Sequence, residues 1–371
     1  MLSKETLERI TSVAENSTIL ALGESKHTSD GLYQAKFEII RHLIERGQVD
    51  CILIENARTK TEKVNSYLKS EVSLEEAMNG LYGVWRSRSM AEFLDWVKLK
   101  KEAGYEIKIA GIDNQDPEEN LRILEEAGIG WIREEIALLL GETEFKFNGF
   151  ADLLMERFKS HGQRDQLLNQ FYELSDRVLS QDIQGGLKAH LAGESLSSHL
   201  RDRATFACGT AEERDDLRVR AYEIRDEAMA LIAKQFIQGE KTVLWAHNLH
   251  IMKNGKRNNA WPMKTMGDCL DADFGERYKA FALTAYYCDV NWPGNPNETG
   301  APIPHPEGSI EEKVKELGVA DRVIDFSKRE DELQFGNCRK MFEAIEVEGL
   351  KDHFDGILYL EKSPPMEAFD V

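Results

Sequence analysis

Three short stretches place ionisable side chains directly after an apolar run: Gly23-Glu24-Ser25-Lys26-His27 after residues 18–22, Glu55 after residues 51–54, and Trp245-Ala246-His247-Asn248-Leu249-His250 after residues 242–244. Together they offer two carboxylates and three imidazoles. A histidine three residues from a glutamate has the make-up of a general base, since an imidazole ionises near neutral pH and a carboxylate can orient it. Glu55 follows four apolar residues, and a carboxylate buried there without a partner would be costly. Three histidines and two glutamates also suit a divalent transition metal, so the same cluster can be read as a metal site. Both readings end in the activation of water.

Motifs of other chemistries are missing from the sequence. Gly23-Glu24-Ser25 continues into Lys26 and His27, so Ser25 lacks the second glycine of a nucleophile elbow. There is no Walker phosphate loop, no dinucleotide fingerprint and no His-Glu-x-x-His zinc helix. A hydrolase that activates water directly, with no cofactor, is therefore the first expectation. A protein that binds a sugar or polyketide without turnover is the alternative from another class, because six tryptophans and ten tyrosines allow ring stacking.

The elements that must position these residues alternate. Residues 18–22 form a short apolar run, a polar loop follows, and then Tyr33, Phe37, Ile40 and Ile44 recur on one helical face. A second run at 51–54 is followed by a charged helical stretch. Another helix at 88–101 leads into a strand at 107–112, and this strand and helix succession predicts a mainly parallel sheet flanked by helices. Further strands are expected at 242–246, 279–286, 322–326 and 356–360. Residues 117–238 read as helix throughout, too long for one crossover, and are expected to form a helical insertion or subdomain within an α/β core made of residues 1–116 and 239–371. Residues 291–307 hold five of the nine prolines and are expected to be a surface loop, a rim or a lid.

Composition narrows the partners. The 371 residues carry 47 Lys and Arg against 66 Asp and Glu, a formal net charge of −19, which disfavours nucleic acid and anionic membrane surfaces. A small-molecule ester, lactone or acylated saccharide is the expected partner. The N-terminal stretch lacks the apolar core of a secretory signal, and no apolar run is long enough to span a bilayer. Five scattered cysteines with no Cys-x-x-Cys pair fit neither a disulfide framework nor a zinc ribbon, and a reducing cytoplasm is expected, with Cys51 and Cys288 buried.

The motifs Leu22-Gly23-Glu24-x-x-His27, Ile54-Glu55-Asn56-Ala57, Trp85 with Glu92 to Trp96, Arg225-Asp226-x-x-Met229, Trp245-Ala246-His247-Asn248-x-His250 and Met266-Gly267 occur in this order. Taken together, they make the chain resemble the erythromycin esterase-like family over about residues 18–285. The resemblance implies an α/β core with a helical subdomain and hydrolysis of an ester, macrolide lactone opening being the activity behind the family name. It implies His27 as general base, Glu24 and Glu55 as the acidic pair, and His247 and His250 as the later histidines. Lys36, Arg86 and Asn248 are the expected substrate contacts. Lys36 stands where these esterases carry an arginine, and a lysine cannot make the same bidentate fork. Thr28 stands where the family usually has glycine, and Lys26 adds a cation to the loop. These departures argue against macrolide cleavage itself. Relatives with this pattern include proteins named for succinoglycan biosynthesis.

Overall fold

The computed structural model describes residues 2–160, 162–183, 185–210, 213–259, 261–288, 308–336, 338–341 and 345–369. The expected loop at 291–307 lies outside the described residues. The chain divides into two compact units, one made of residues 1–56, 60–111 and 233–371, the other of residues 57–59 and 112–232.

Nine strands occur among the described residues: β1 (Ile19–Leu22), β2 (Cys51–Ala57), β3 (Lys108–Asp113), β4 (Thr242–Trp245), β5 (Tyr278–Cys288), β6 (Asp321–Asp325), β7 (Arg339–Met341), β8 (Ile345–Glu348) and β9 (Gly356–Ser363). Seven of them form one sheet in the order β3-β2-β4-β1-β5-β9-β6, while β7 and β8 pair separately. The seven apolar runs read as strands from the sequence are the seven strands of this sheet. β1 runs parallel to β4 and β5, β2 parallel to β4, and β9 parallel to β5, whereas β6 is antiparallel to β9. The fold is thus α/β with a mainly parallel sheet. Every residue of β1, β2 and β4 is buried, as strands covered by helices on both faces require.

One helix bears directly on the candidate site. Asp30–Glu45 buries Leu32, Tyr33, Phe37, Ile40, Leu43 and Ile44 at helical spacing, which fixes that face against the sheet. Cys51 and Cys288 are buried, and all five cysteines are free thiols. The second unit is helical from Pro117 on, with its own core built around Leu121, Ile136, Leu154, Phe171, Leu196 and Leu200. Its helix Gly186–Cys208 packs on Arg164–Leu179 and Pro117–Glu126. No helix among the described residues is long and apolar enough to cross a membrane.

Candidate functional site

The register of the sheet brings the ionisable stretches to one edge. Leu22 and Ile54 both pair with Trp245, so the residues that follow all three leave the C-terminal ends of neighbouring strands at the same level. Open α/β sheets gather ligands at that edge. β2 continues two residues past Glu55, which makes Glu55 part of the strand rather than of the loop after it.

Glycine at position 23 is a packing requirement. A Cβ there would collide with the side chain and Cα of Asn248. Asn248 is buried and acts like an inserted strand residue: its Nδ2 donates to the Leu283 carbonyl at 3.0 Å, its Oδ1 accepts from the Leu283 amide at 3.2 Å, and its own amide donates to the Glu24 carbonyl at 2.9 Å. These bonds tie the loop after β1 to the loop after β4.

Glu24 is fully buried and is held at both oxygens. Oε1 faces His27 Nδ1 at 3.1 Å, and Oε2 is ion-paired with Lys36 Nζ. Lys36 is itself fully buried, 3.5 Å from the Ala246 carbonyl, with its ammonium 4.7 Å from the centre of the Trp245 ring. Burial pushes the Lys36 pKa well below the usual lysine range, against the pull of the Glu55 carboxylate. With the Nδ1 proton of His27 directed at Glu24, the lone pair of the neutral ring sits on Nε2. The His27 ring stands edge-on to Trp85 at 5.2 Å, which fixes its plane, and its side chain is 25% exposed. Its neighbour Thr28 has φ 62, the left-handed region that a β-branched residue adopts at a cost, and its hydroxyl is buried without a hydrogen-bond partner. Tyr33 Oη accepts the Thr28 amide at 2.6 Å and donates to the Val84 carbonyl at 3.0 Å, holding the loop in this conformation.

Glu55 serves the other two histidines. Its Oε2 accepts the His247 amide at 2.9 Å, and its Oε1 lies 3.3 Å from His250 Nε2. Trp85 Nε1 donates to the Glu55 carbonyl at 3.0 Å. His247 caps the short helix Asn248–Ile251, its Nδ1 accepting the Leu249 amide at 3.2 Å. That bond places the ring proton on Nε2, which points at the Ser25 carbonyl at 3.3 Å. Burial, then the neighbouring imidazoles of His27 and His250, hold the His247 pKa well below the usual histidine range, so the ring is neutral. The centre of its ring is 5.1 Å from that of His27 and 6.5 Å from that of His250.

Glu24, His27, Lys36, Glu55, His247 and His250 therefore form one constellation, two imidazole–carboxylate pairs joined through His247. Asn248 is beside them but its carboxamide is engaged with β5. Arg86 is engaged with its own loop, through Nε to the Leu81 carbonyl at 2.9 Å and Nη2 to the Asn79 carbonyl at 3.2 Å. The sequence reading gave Lys36 as a substrate contact and did not foresee it as the buried partner of Glu24. The signal was present, since Lys36 stands three residues after Tyr33 and four before Ile40, on the apolar face. The roles of Tyr33 and Trp85 in fixing the loop and the ring were likewise not foreseen. Among the described residues no group of three or more His, Cys, Asp and Glu side chains is placed to hold a metal ion.

The model of the erythromycin esterase family matches residues 44–363. The chain belongs to this family. YbfO of Bacillus subtilis (strain 168), provisionally named a hydrolase, is 23% identical, the match spanning 98% of this chain and 87% of the relative. Erythromycin esterase type I of Escherichia coli is 24% identical over 75% of this chain and 72% of its own length. Among solved structures, a mutant of the erythromycin esterase EreC in its open conformation superposes with a TM-score of 0.75 at 18% identity, covering 100% of this chain and 97% of that one. A succinoglycan biosynthesis protein gives a TM-score of 0.71 at 15% identity, covering 97% and 92%. At these identities the structural likeness speaks for the fold, and membership of the family supports a hydrolase-like function.

Proposed function

We propose that this family member hydrolyses a carboxylic ester or lactone without a metal, with His27 as the base that activates water. The observation that carries the reading is the contact of His27 Nδ1 with the buried Glu24 carboxylate at 3.1 Å. In this reading Nε2 of His27 takes a proton from water as the water oxygen attacks the carbonyl carbon. Glu24 stabilises the imidazolium that forms. Collapse of the tetrahedral intermediate breaks the ester C–O bond, and the leaving oxygen takes the proton back from His27. The neutral His247 Nε2–H, spent on a 3.3 Å bond to Ser25, turns to the developing oxyanion. Glu55 and His250 hold the His247 loop in place. A positioned base contributes about 10²–10⁴-fold and one oxyanion donor about 10²–10³-fold.

Lys36, Asn248 and Arg86 are positioning residues in this reading, since each is engaged with the protein. A lysine in place of the family's arginine, and threonine at position 28, favour a simple ester or an acylated saccharide over a macrolide as substrate. The free thiols and the acidic surface favour the cytoplasm as the place of action. A screen of simple esters, acylated sugars and macrolides, run with and without a chelator, tests the proposal. Turnover of an ester unaffected by the chelator is expected. Loss of turnover on chelation would replace the metal-free mechanism, and saccharide binding with no turnover of any ester would replace the enzyme.

A further inference from the structure

The helical unit holds a cavity of about 360 Å³. That volume lies within the range of small-ligand sites, about 300–1,000 Å³. Arg203, Arg218 and Arg225 line the cavity together with Asp202, Phe206 and Tyr222. Three cations around one cavity stand out in a chain of net charge −19. Arg225 is held in position by Asp113, through Nε to Oδ1 at 3.1 Å and Nη2 to Oδ2 at 2.7 Å.

A second, independent feature points to a ligand. Asp202 is 4% exposed, and its Oδ1 has no hydrogen-bond partner, Arg203 Nε lying at 3.2 Å outside hydrogen-bonding geometry. Its Oδ2 receives only a long bond from Asn114 Nδ2, at 3.3 Å. Beyond its ion pair with Arg203, Oδ1 has no hydrogen bond, and a hydroxyl of a bound molecule would supply one.

We propose that this cavity is a second ligand site, specific for a small hydroxylated organic acid. The arginines take the carboxylate, as planar forks suited to a planar oxyanion. A ligand hydroxyl hydrogen-bonds to Asp202, and the carbon frame lies against Phe206 and Tyr222.

The test is calorimetric titration of the full chain with glucuronate, with glucose as the neutral counterpart and with inorganic phosphate as the bare anion. Glucuronate is expected to bind saturably, with glucose and phosphate each about 10-fold weaker or more. Arg218 is exposed, so Arg218→Gln should fold normally, weaken glucuronate by about 10-fold and leave ester turnover unchanged. Absence of saturable glucuronate binding overturns the proposal. Equal binding of glucose would overturn the arginine anchor, equal binding of phosphate would overturn the hydroxylated ligand, and an unchanged Arg218→Gln variant would place glucuronate elsewhere.

Discussion

Thr28→Gly should stabilise the protein while leaving His27 in place. Thr28 sits at φ 62 with its hydroxyl buried and unpartnered. Releasing a non-glycine residue from the left-handed region recovers about 1–2 kcal/mol. Removing an unsatisfied buried hydroxyl recovers about 1–3 kcal/mol. Against these stand the extra freedom of glycine in the unfolded chain, about 0.5–1 kcal/mol, and the loss of two buried carbons, Cβ and Cγ2, about 1.6 kcal/mol. The central values leave a gain of about 1 kcal/mol, a rise in melting temperature of about 2–4 °C for a unit of this size. Urea denaturation of wild type, Thr28→Gly and Thr28→Ala measures it. Thr28→Ala keeps the strained backbone and Cβ and loses only the hydroxyl and methyl, so it isolates the share of the gain that comes from removing the hydroxyl. A glycine variant equal to or less stable than wild type would refute the reasoning, and would mean that the threonine makes contacts worth more than its strain.

Lys36→Met removes the buried partner of Glu24 and should cost about 3–5 kcal/mol. At a temperature where it stays folded, the variant should lose turnover, and Lys36→Arg should restore most of it at a packing cost of about 1–3 kcal/mol beside Trp245; equal turnover in all three proteins would contradict the positioning role. In the helical unit, burial lowers the His199 pKa to about 3, so the unfolded chain gains a proton that the folded one refuses and stability falls as the pH drops from 6.5 toward 3. Burial raises the Asp202 pKa to about 7, so the folded chain keeps a proton that the unfolded one releases and stability falls as the pH rises from 3.8 toward 7. The two slopes, about 1.4 kcal/mol per pH unit each, oppose one another between about pH 4 and 6.5. Asp202→Asn should therefore be markedly more acid-labile than wild type in melting curves across that range, and His199→Gln less so; identical profiles would show that neither group carries the linkage.

The sheet was legible because parallel strands buried on both faces are written as short apolar runs, and each run ends where the chain turns to Gly, Glu or His. The same pattern marks Glu24, His247 and His250 as residues that follow strands, and Glu55 as lying near the end of one, two residues short of it. What the pattern does not encode is which polar group meets which. Lys36 reads as one of many helix lysines, and only its place between Tyr33 and Ile40 marks it as buried. Asn248 reads as a polar residue in a site loop, yet its carboxamide completes β5 as a backbone unit would, a pairing across 35 residues of sequence. The same limit hid the Asp202 cavity, whose arginines lie on Gly186–Cys208 and Arg214–Phe236, two long helices with no marked apolar stripe.

The central claim is that His27 removes the proton from water. On an ester that the wild type hydrolyses, kcat/KM of His27→Asn measured beside its urea midpoint is the most direct test. The expected result is a fall of at least about 10²-fold with the midpoint nearly unchanged. A variant that keeps a tenth or more of the wild-type activity would contradict the account.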